Sequence, residues 1–212
     1  MLVYGALISP FVRKVCLVAE EKGAPWRLEV PNLKAPAADF AAASPFCKIP
    51  AIRDGDFALS DSSAIALYLE AKYPAPALLP AAPELRGRAI WFDEYADTIL
   101  AASGLKVLFN RFVGPKLMKR PGDEAVAAAG AAALPPLYAY LEGQLGDEGW
   151  LLGAHFSLAD ISVAAMLRSF AIVGVAPQGT DYPRIAAWYA RVTARPAWAK
   201  VAEQDHPATI PA

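Results

Sequence analysis

Cysteine and histidine are both scarce in this chain of 212 residues, which has two of each. Cys16 and Cys47 are too few for a disulfide framework, and their spacing matches neither a C-x-x-C zinc pair nor a dithiol redox pair. Such usage fits a reducing compartment. His155 and His206 lie late in the sequence and no G-x-S-x-G elbow is present, so a serine nucleophile with a histidine base is not expected. An excess of charge is also missing: 20 basic against 21 acidic residues leave a formal net charge of −1. No bulk field then favours a nucleic acid or an anionic membrane as partner, and any anion site must be local. Long apolar runs are absent, and Arg13 and Lys14 interrupt the first apolar stretch. Neither a membrane span nor a signal peptide is expected, and the expected location is cytoplasmic. Beyond alanine-rich helical tracts there is no repeat or low-complexity segment.

The length fits two modest domains or one large one, and the 56% of residues that are hydrophobic, many of them alanine, favour helices over disorder. Leu2 to Leu7 has the length of a strand. Ser9 reads as an N-cap and Pro10 as the first residue of a helix that runs to Lys22, ended by Gly23 and Pro25. On that helix Phe11, Val15 and Val18 share a face, with Val12, Cys16 and Ala19 beside them. Trp26 to Val30 alternates as a half-exposed strand. The stretch from Ser44 to Ile65 holds the densest signals. Lys48-Ile49-Pro50 precedes an apolar strand, Asp54-Gly55 is a hairpin turn between Ala51–Arg53 and Phe57–Leu59, and Ser60-Asp61-Ser62 opens a helix that closes at Tyr73.

Four prolines between Pro74 and Pro83 exclude a helix or central strand there and mark a boundary. Everything after it reads as helix. One helix spans Glu84 to about Phe112, with Pro121-Gly122 as a break, and the next spans Asp123 to about Leu145, kinked or divided at Pro135-Pro136. Ser157-Leu158-Ala159-Asp160 is a capping-box pattern that opens a helix to about Val173.

The order loop, strand, strand, helix with the residues of 44–65 resembles the second half of the thioredoxin-like domain of soluble glutathione transferases. Ser9-Pro10-Phe11-Val12-Arg13-Lys14-Val15 resembles the catalytic end of the first strand in their serine-type members. Trp150-Leu151-Leu152-Gly153 with Phe156 to Ile161 is similar to the buried capping element of their helical domain. Tyr182 to Trp188 and Arg195-Pro196-Ala197-Trp198 resemble their last helices. The resemblance implies an α/β thioredoxin-like N-terminal domain, residues 1–76, a linker, 77–83, and an all-α C-terminal domain, 84–212. It also implies glutathione as co-substrate and a homodimer, with no nucleic-acid or membrane partner.

By the same resemblance Pro50 is cis, the backbone of Ile49 pairs with the cysteinyl part of glutathione, and Asp61 and Ser62 hold its γ-glutamyl end. Lys48 and Lys34 are the candidates for the glycyl carboxylate, and Ser9 faces the sulfur. Leu7, Phe11 and Phe109 are the candidates for the electrophile site. Arg13, one turn after Ser9, either assists electrostatically or faces water. Tyr4 raises the alternative of a tyrosine-type member, but its place in mid-strand, well before the helix, favours a core or edge role. Ser9 is able to cap the helix and serve the sulfur at once, since its oxygen accepts while its proton donates.

Lowering a thiol pKa from about 8.5 by about two units needs about 2.7 kcal/mol. A hydrogen bond to a charged group supplies about 1.5 to 3 kcal/mol and a helix N-terminus about 0.3 to 1. The chain departs from the family pattern in three places. Ser44-Pro45 replaces Asn-Pro, Cys47 replaces glycine, and Leu7-Ile8 precedes Ser9 where isomerase-type members have Ser-Ser-Cys, which disfavours maleylacetoacetate isomerisation. A thiol at position 47 is able to form a mixed disulfide with glutathione or to serve as a small buried hydrophobe. The rival readings are a glutathione-binding or assembly module without turnover, and a glutathione-dependent ether-cleaving, dehalogenating or peroxidase enzyme.

Overall fold

A computed structural model describes residues 1–205. His206 lies outside the described residues. The first domain holds one mixed sheet in the order β2-β1-β3-β4. β1 (Leu2–Tyr4) pairs parallel with β2 (Arg27–Glu29) and antiparallel with β3 (Ala51–Asp54), which pairs antiparallel with β4 (Phe57–Ser60). β1 is shorter than the Leu2–Leu7 strand expected, because the chain turns after Gly5 and the Ser9 N–H bonds the Ala6 carbonyl at 2.9 Å. The hairpin turn falls one residue later than expected. Asp54 pairs with Phe57, leaving Gly55, at φ +63°, and Asp56 as the loop.

Ser9 and Pro10 start α1 (Pro10–Glu21) as their chemistry dictates, and Gly23, at φ +62°, follows its end. α2 (Ala38–Ala43), a short helix in the crossover, was not expected. α3 (Ser62–Lys72) follows β4 directly. Helix α1 is buried almost all round, including Arg13 and Lys14, because it lies between α3 and two helices of the second domain, Leu158–Ala171 and Pro196–Ala202. Arg13 therefore does not face water.

The second domain begins with α4 (Pro83–Glu94), which continues through a π-helical segment, Tyr95–Leu100, into α5 (Ala101–Leu108) and a second π-helical segment, Phe109–Met118. The single long helix expected here is thus continuous but twice widened. Next come α6 (Glu124–Ala132) and α7 (Leu134–Gln144), divided at Ala133 so that the two prolines fall in the first turn of α7, where no N–H is needed. Then follow α8 (Leu158–Ala171), α9 (Pro183–Thr193) and α10 (Pro196–Ala202). Among the described residues no helix is long and apolar enough to cross a membrane.

α8 is the axis of this domain and touches α1, α4, α5 and α9. The capping box is formed as its pattern predicts: the buried Asp160 accepts from the Ser157 N–H at 2.9 Å, and it also accepts from the Leu151 N–H at 3.0 Å and Trp188 Nε1 at 2.8 Å. Burial lifts the Asp160 carboxyl above its ordinary pKa, and these donors pull it back. Gly104 on α5 admits the Phe170 ring of α8 so closely that a Cβ there would stand 2.0 Å from it. Gly104→Ala is expected to lower the unfolding free energy by about 2 kcal/mol, read from denaturant midpoints, although alanine is the better helix former.

Candidate active site

A cleft of about 580 Å³ lies between the two domains. One wall comes from the loop before β3, with Ser44, Phe46, Lys48, Ile49 and Pro50; the floor comes from Ser60 and the start of α3, Asp61 to Ser63. The other wall is Glu94, Asp97 and Thr98 of the second domain, and Phe11 of α1 completes the lining.

The Ile49-Pro50 bond is cis. Among the described residues neither the N–H nor the carbonyl of Ile49 has a hydrogen-bond partner, so one donor and one acceptor of the main chain face the cleft unused. The loop around them is held by Ser44. Its buried hydroxyl accepts from the Lys48 N–H at 2.9 Å and donates to the Lys48 carbonyl at 2.7 Å, so the departure from Asn-Pro still ties the loop to itself. Ser44→Ala orphans both groups. It is expected to cost about 2 kcal/mol of stability, read from denaturant midpoints. Cys47 sits at φ +51°, a backbone region that glycine adopts without cost, which explains glycine as the commoner residue there. Its side chain packs against the small cluster of Tyr4, Phe40, Ala43 and Ala51.

Asp61 caps α3, its Oδ1 accepting from the Ser63 and Ala64 N–H groups at 3.0 Å each. Its backbone is held at φ +82°, uncommon for any residue but glycine. The first N–H of α3, that of Ser62, has no partner among the described residues. The helix thus offers a free donor and its positive end to an anion. The buried Ser62 hydroxyl donates to Asp97 Oδ2 at 3.3 Å.

Beneath this floor lies a group that the sequence did not reveal. Lys14, 1% exposed, donates to Asp93 Oδ1 at 2.8 Å, to Asp97 Oδ2 at 2.5 Å and to the Ser63 hydroxyl at 3.1 Å. Ser63 donates on to Asp93 at 2.6 Å, and Ser162 of α8 does so at 2.5 Å. The wider turn of the π-helical segment carries Asp97, and such segments recur at functional sites. Burial, the largest influence, raises the Asp97 pKa; the Lys14 charge lowers it and Asp93 raises it further.

Ser9 Oγ accepts from the Val12 N–H at 3.5 Å, a weak cap, and among the described residues its proton has no acceptor. Ser9 itself is half-buried and is not among the residues that line the cleft, whereas Phe11 is. Of the other candidates, Lys48, Ile49, Pro50, Asp61 and Ser62 all meet in the cleft. Lys34 does not: it is exposed in the loop before α2, with its N–H on Asn32 Oδ1. Leu7 is buried in the main core and is not among the residues that line the cleft. Phe109 is 50% exposed on the second π-helical segment and lies outside the cleft. Ser44, Phe46, Ser60, Ser63, Glu94, Asp97 and Thr98 were missed; Glu94 and Asp97 lie on a stretch that also carries Glu84, Arg86, Arg88 and Asp93, so their charge does not single them out.

A small mixed sheet with a cis-proline loop, facing a helical domain across a cleft, defines a two-domain protein of the thioredoxin-like class. Residues 3–77 match the family model for the glutathione S-transferase N-terminal domain, and residues 124–191 match that for the C-terminal domain. Glutathione S-transferase theta-1 of Rattus norvegicus is 33% identical over 196 residues, which cover 90% of this chain and 81% of the relative. Glutathione S-transferase 3 of Zea mays is 32% identical over 206 residues, covering 93% and 90%. The apo structure of human glutathione S-transferase T1-1 superposes with a TM-score of 0.83 at 29% identity, covering 98% of this chain and 88% of the other. The chain belongs to the glutathione S-transferase family.

Proposed function

We propose that this protein conjugates glutathione to small hydrophobic electrophiles, with the thiolate held by Ser9. The observation that carries the reading is the set of unused main-chain groups in one cleft: the donor and acceptor of Ile49 and the open N-terminus of α3 at Asp61-Ser62. A γ-linked tripeptide needs both. Its cysteinyl unit pairs with Ile49 as an added strand does, and its γ-glutamyl carboxylate sits on the Ser62 N–H. Lys48, whose exposed amine is on the same wall, takes the glycyl carboxylate as a point charge.

Phe11 borders the space left for the electrophile, and substitution or addition by the thiolate completes the reaction. Residues 1–76 act in this reading as the glutathione-binding domain, 77–83 as linker and 84–212 as the domain completing the electrophile site. Phe46, at 84% exposure, and Leu67 and Trp91, on the helices bordering the cleft, are large apolar side chains left open, which supports a homodimer that covers them. Two free cysteines and a thiol co-substrate suit the cytoplasm.

The test is a pH titration of thiolate absorbance for glutathione bound to the protein. We expect the thiol pKa to fall by about two units from its free value. Binding with an unshifted thiol would instead favour a glutathione-binding module without turnover, and a substrate panel separates conjugation from ether cleavage, dehalogenation and peroxide reduction.

A further inference from the structure

We propose that Asp205, three residues after α10, is a positioning residue for Ser9 and acts through Arg13; this rests on the reading of Ser9 as the thiolate's partner. A single nitrogen carries the link. Arg13 Nη2 donates to the Leu7 carbonyl at 3.2 Å, two residues before Ser9, and also to the Asp205 carboxylate. Arg13 is 2% exposed, and the two side chains of the pair are 2% and 5% exposed. Its Nε is buried with no hydrogen-bond partner among the described residues. The hydrogen bonds described for this guanidinium are therefore those of one nitrogen, and the Trp198 ring lies 6.0 Å from its carbon.

A buried guanidinium without its carboxylate is costly, so removing the Asp205 charge drives Arg13 to a new position. The carbonyl it holds moves with it. The next carbonyl, that of Ile8, is held from the other side by the Ser169 hydroxyl of α8 at 3.0 Å. The two peptide units leading into Ser9 are thus fixed by side chains from α1 and α8, and only the first depends on Asp205.

Asp205 is itself well placed to be a fixed point. Arg168 of α8 approaches its second oxygen at 3.5 Å. Arg195, the N-cap residue of α10, forms two bonds of 2.6 and 2.7 Å with Glu21 at the end of α1, and Lys200 reaches Glu20 at 2.6 Å. These pairs fasten α10 along α1, so the carboxylate at the end of α10 is delivered to the first turn of α1. No chemistry needs Asp205 in contact with substrate; what it supplies is the position of a loop.

The experiment compares Asp205→Asn, Ser9→Ala and the double variant in the full chain. The readings are kcat, KM for glutathione, the pKa of the bound thiol and the melting temperature. Asp205→Asn keeps the side-chain volume and is expected to lower kcat about tenfold and to raise the bound-thiol pKa, with KM changed less than about twofold. Because Asp205 acts through Ser9, the double variant is expected to show the rate and thiol pKa of Ser9→Ala with no further loss. A lowered melting temperature with kcat and thiol pKa unchanged would reduce Asp205 to a structural tie and overturn the proposal. Fully additive losses in the double variant would also overturn it. Should Ser9→Ala itself leave the thiol pKa unaltered, the reading of Ser9 fails first, and that outcome is distinct from an additive cycle.

Discussion

Ser9→Ala is expected to raise the pKa of protein-bound glutathione by about one to two units and to lower kcat near pH 6.5 by about 10- to 100-fold. The estimate follows from the strength of a hydrogen bond to an ionised sulfur, about 1.5 to 3 kcal/mol, at about 1.4 kcal/mol for each factor of ten. The hydroxyl is well suited to that donation, because its oxygen is engaged by the Val12 N–H while its proton is uncommitted among the described residues. Part of the depression is expected to survive. The N-terminus of α1 still supplies about 0.3 to 1 kcal/mol to an anion beside it. KM for glutathione should change little, since Ile49, Asp61, Ser62 and Lys48 are untouched. A rate profile against pH, beside the absorbance titration, reads both quantities; equal thiol pKa values in the two proteins would remove Ser9 from the chemistry.

Lys14→Met should destabilise the protein by about 3 to 5 kcal/mol at neutral pH. The methionine fits the volume, but it leaves Asp93 and Asp97 facing each other without a cation in a buried place. The loss should depend on pH. The Asp97 pKa is already raised by burial, and Lys14 is the largest influence holding it down. A carboxyl with a raised folded pKa adds stability at acid pH that is lost as pH rises through that value, and in the variant the rise is greater. The deficit relative to the parent should therefore be small near pH 4, close to the ordinary aspartate value, and grow as pH increases above it. Urea midpoints across that range measure it. A deficit independent of pH would mean that lost packing, and not the stranded carboxylates, is the cause.

Much of the fold was legible because its signals are local. Ser9-Pro10, Ser157 to Asp160 and the proline-rich stretch after Tyr73 each specify a cap, a box or a break within a few residues, and the structure forms them where expected. α2 was not legible. It is six residues long, starts at an alanine without a side-chain cap and has too few turns for a period to show. The π-helical segments leave no mark in the spacing either, since a widened turn keeps the same apolar residues and changes only where they point.

The cleft residues on the first domain were legible through motif order. The wall from the second domain was not, because the contacts that place it link residues far apart, such as Lys14 to Asp93 and Asp97; the pairing of Arg13 with Asp205 is hidden by the same distance. The same distance explains why two readings of Arg13, electrostatic assistance or exposure to water, stay open in the sequence until α8 and α10 cover it. Leu7 lies in the core for a simpler reason. Two residues from Ser9 in sequence, it points into the core once the strand ends at Tyr4.

The lysine beneath the cleft also limits how this chain can be recombined with its relatives. A crossover placed in the proline-rich segment between Lys72 and Pro83 appears natural, since no helix or strand is cut there. Yet it would send Lys14 and Ser63 to one parent and Asp93, Asp97 and Ser162 to the other. Chimaeras made at that junction inherit half of a charge set, and a workable exchange moves residue 14 together with residues 93 and 97.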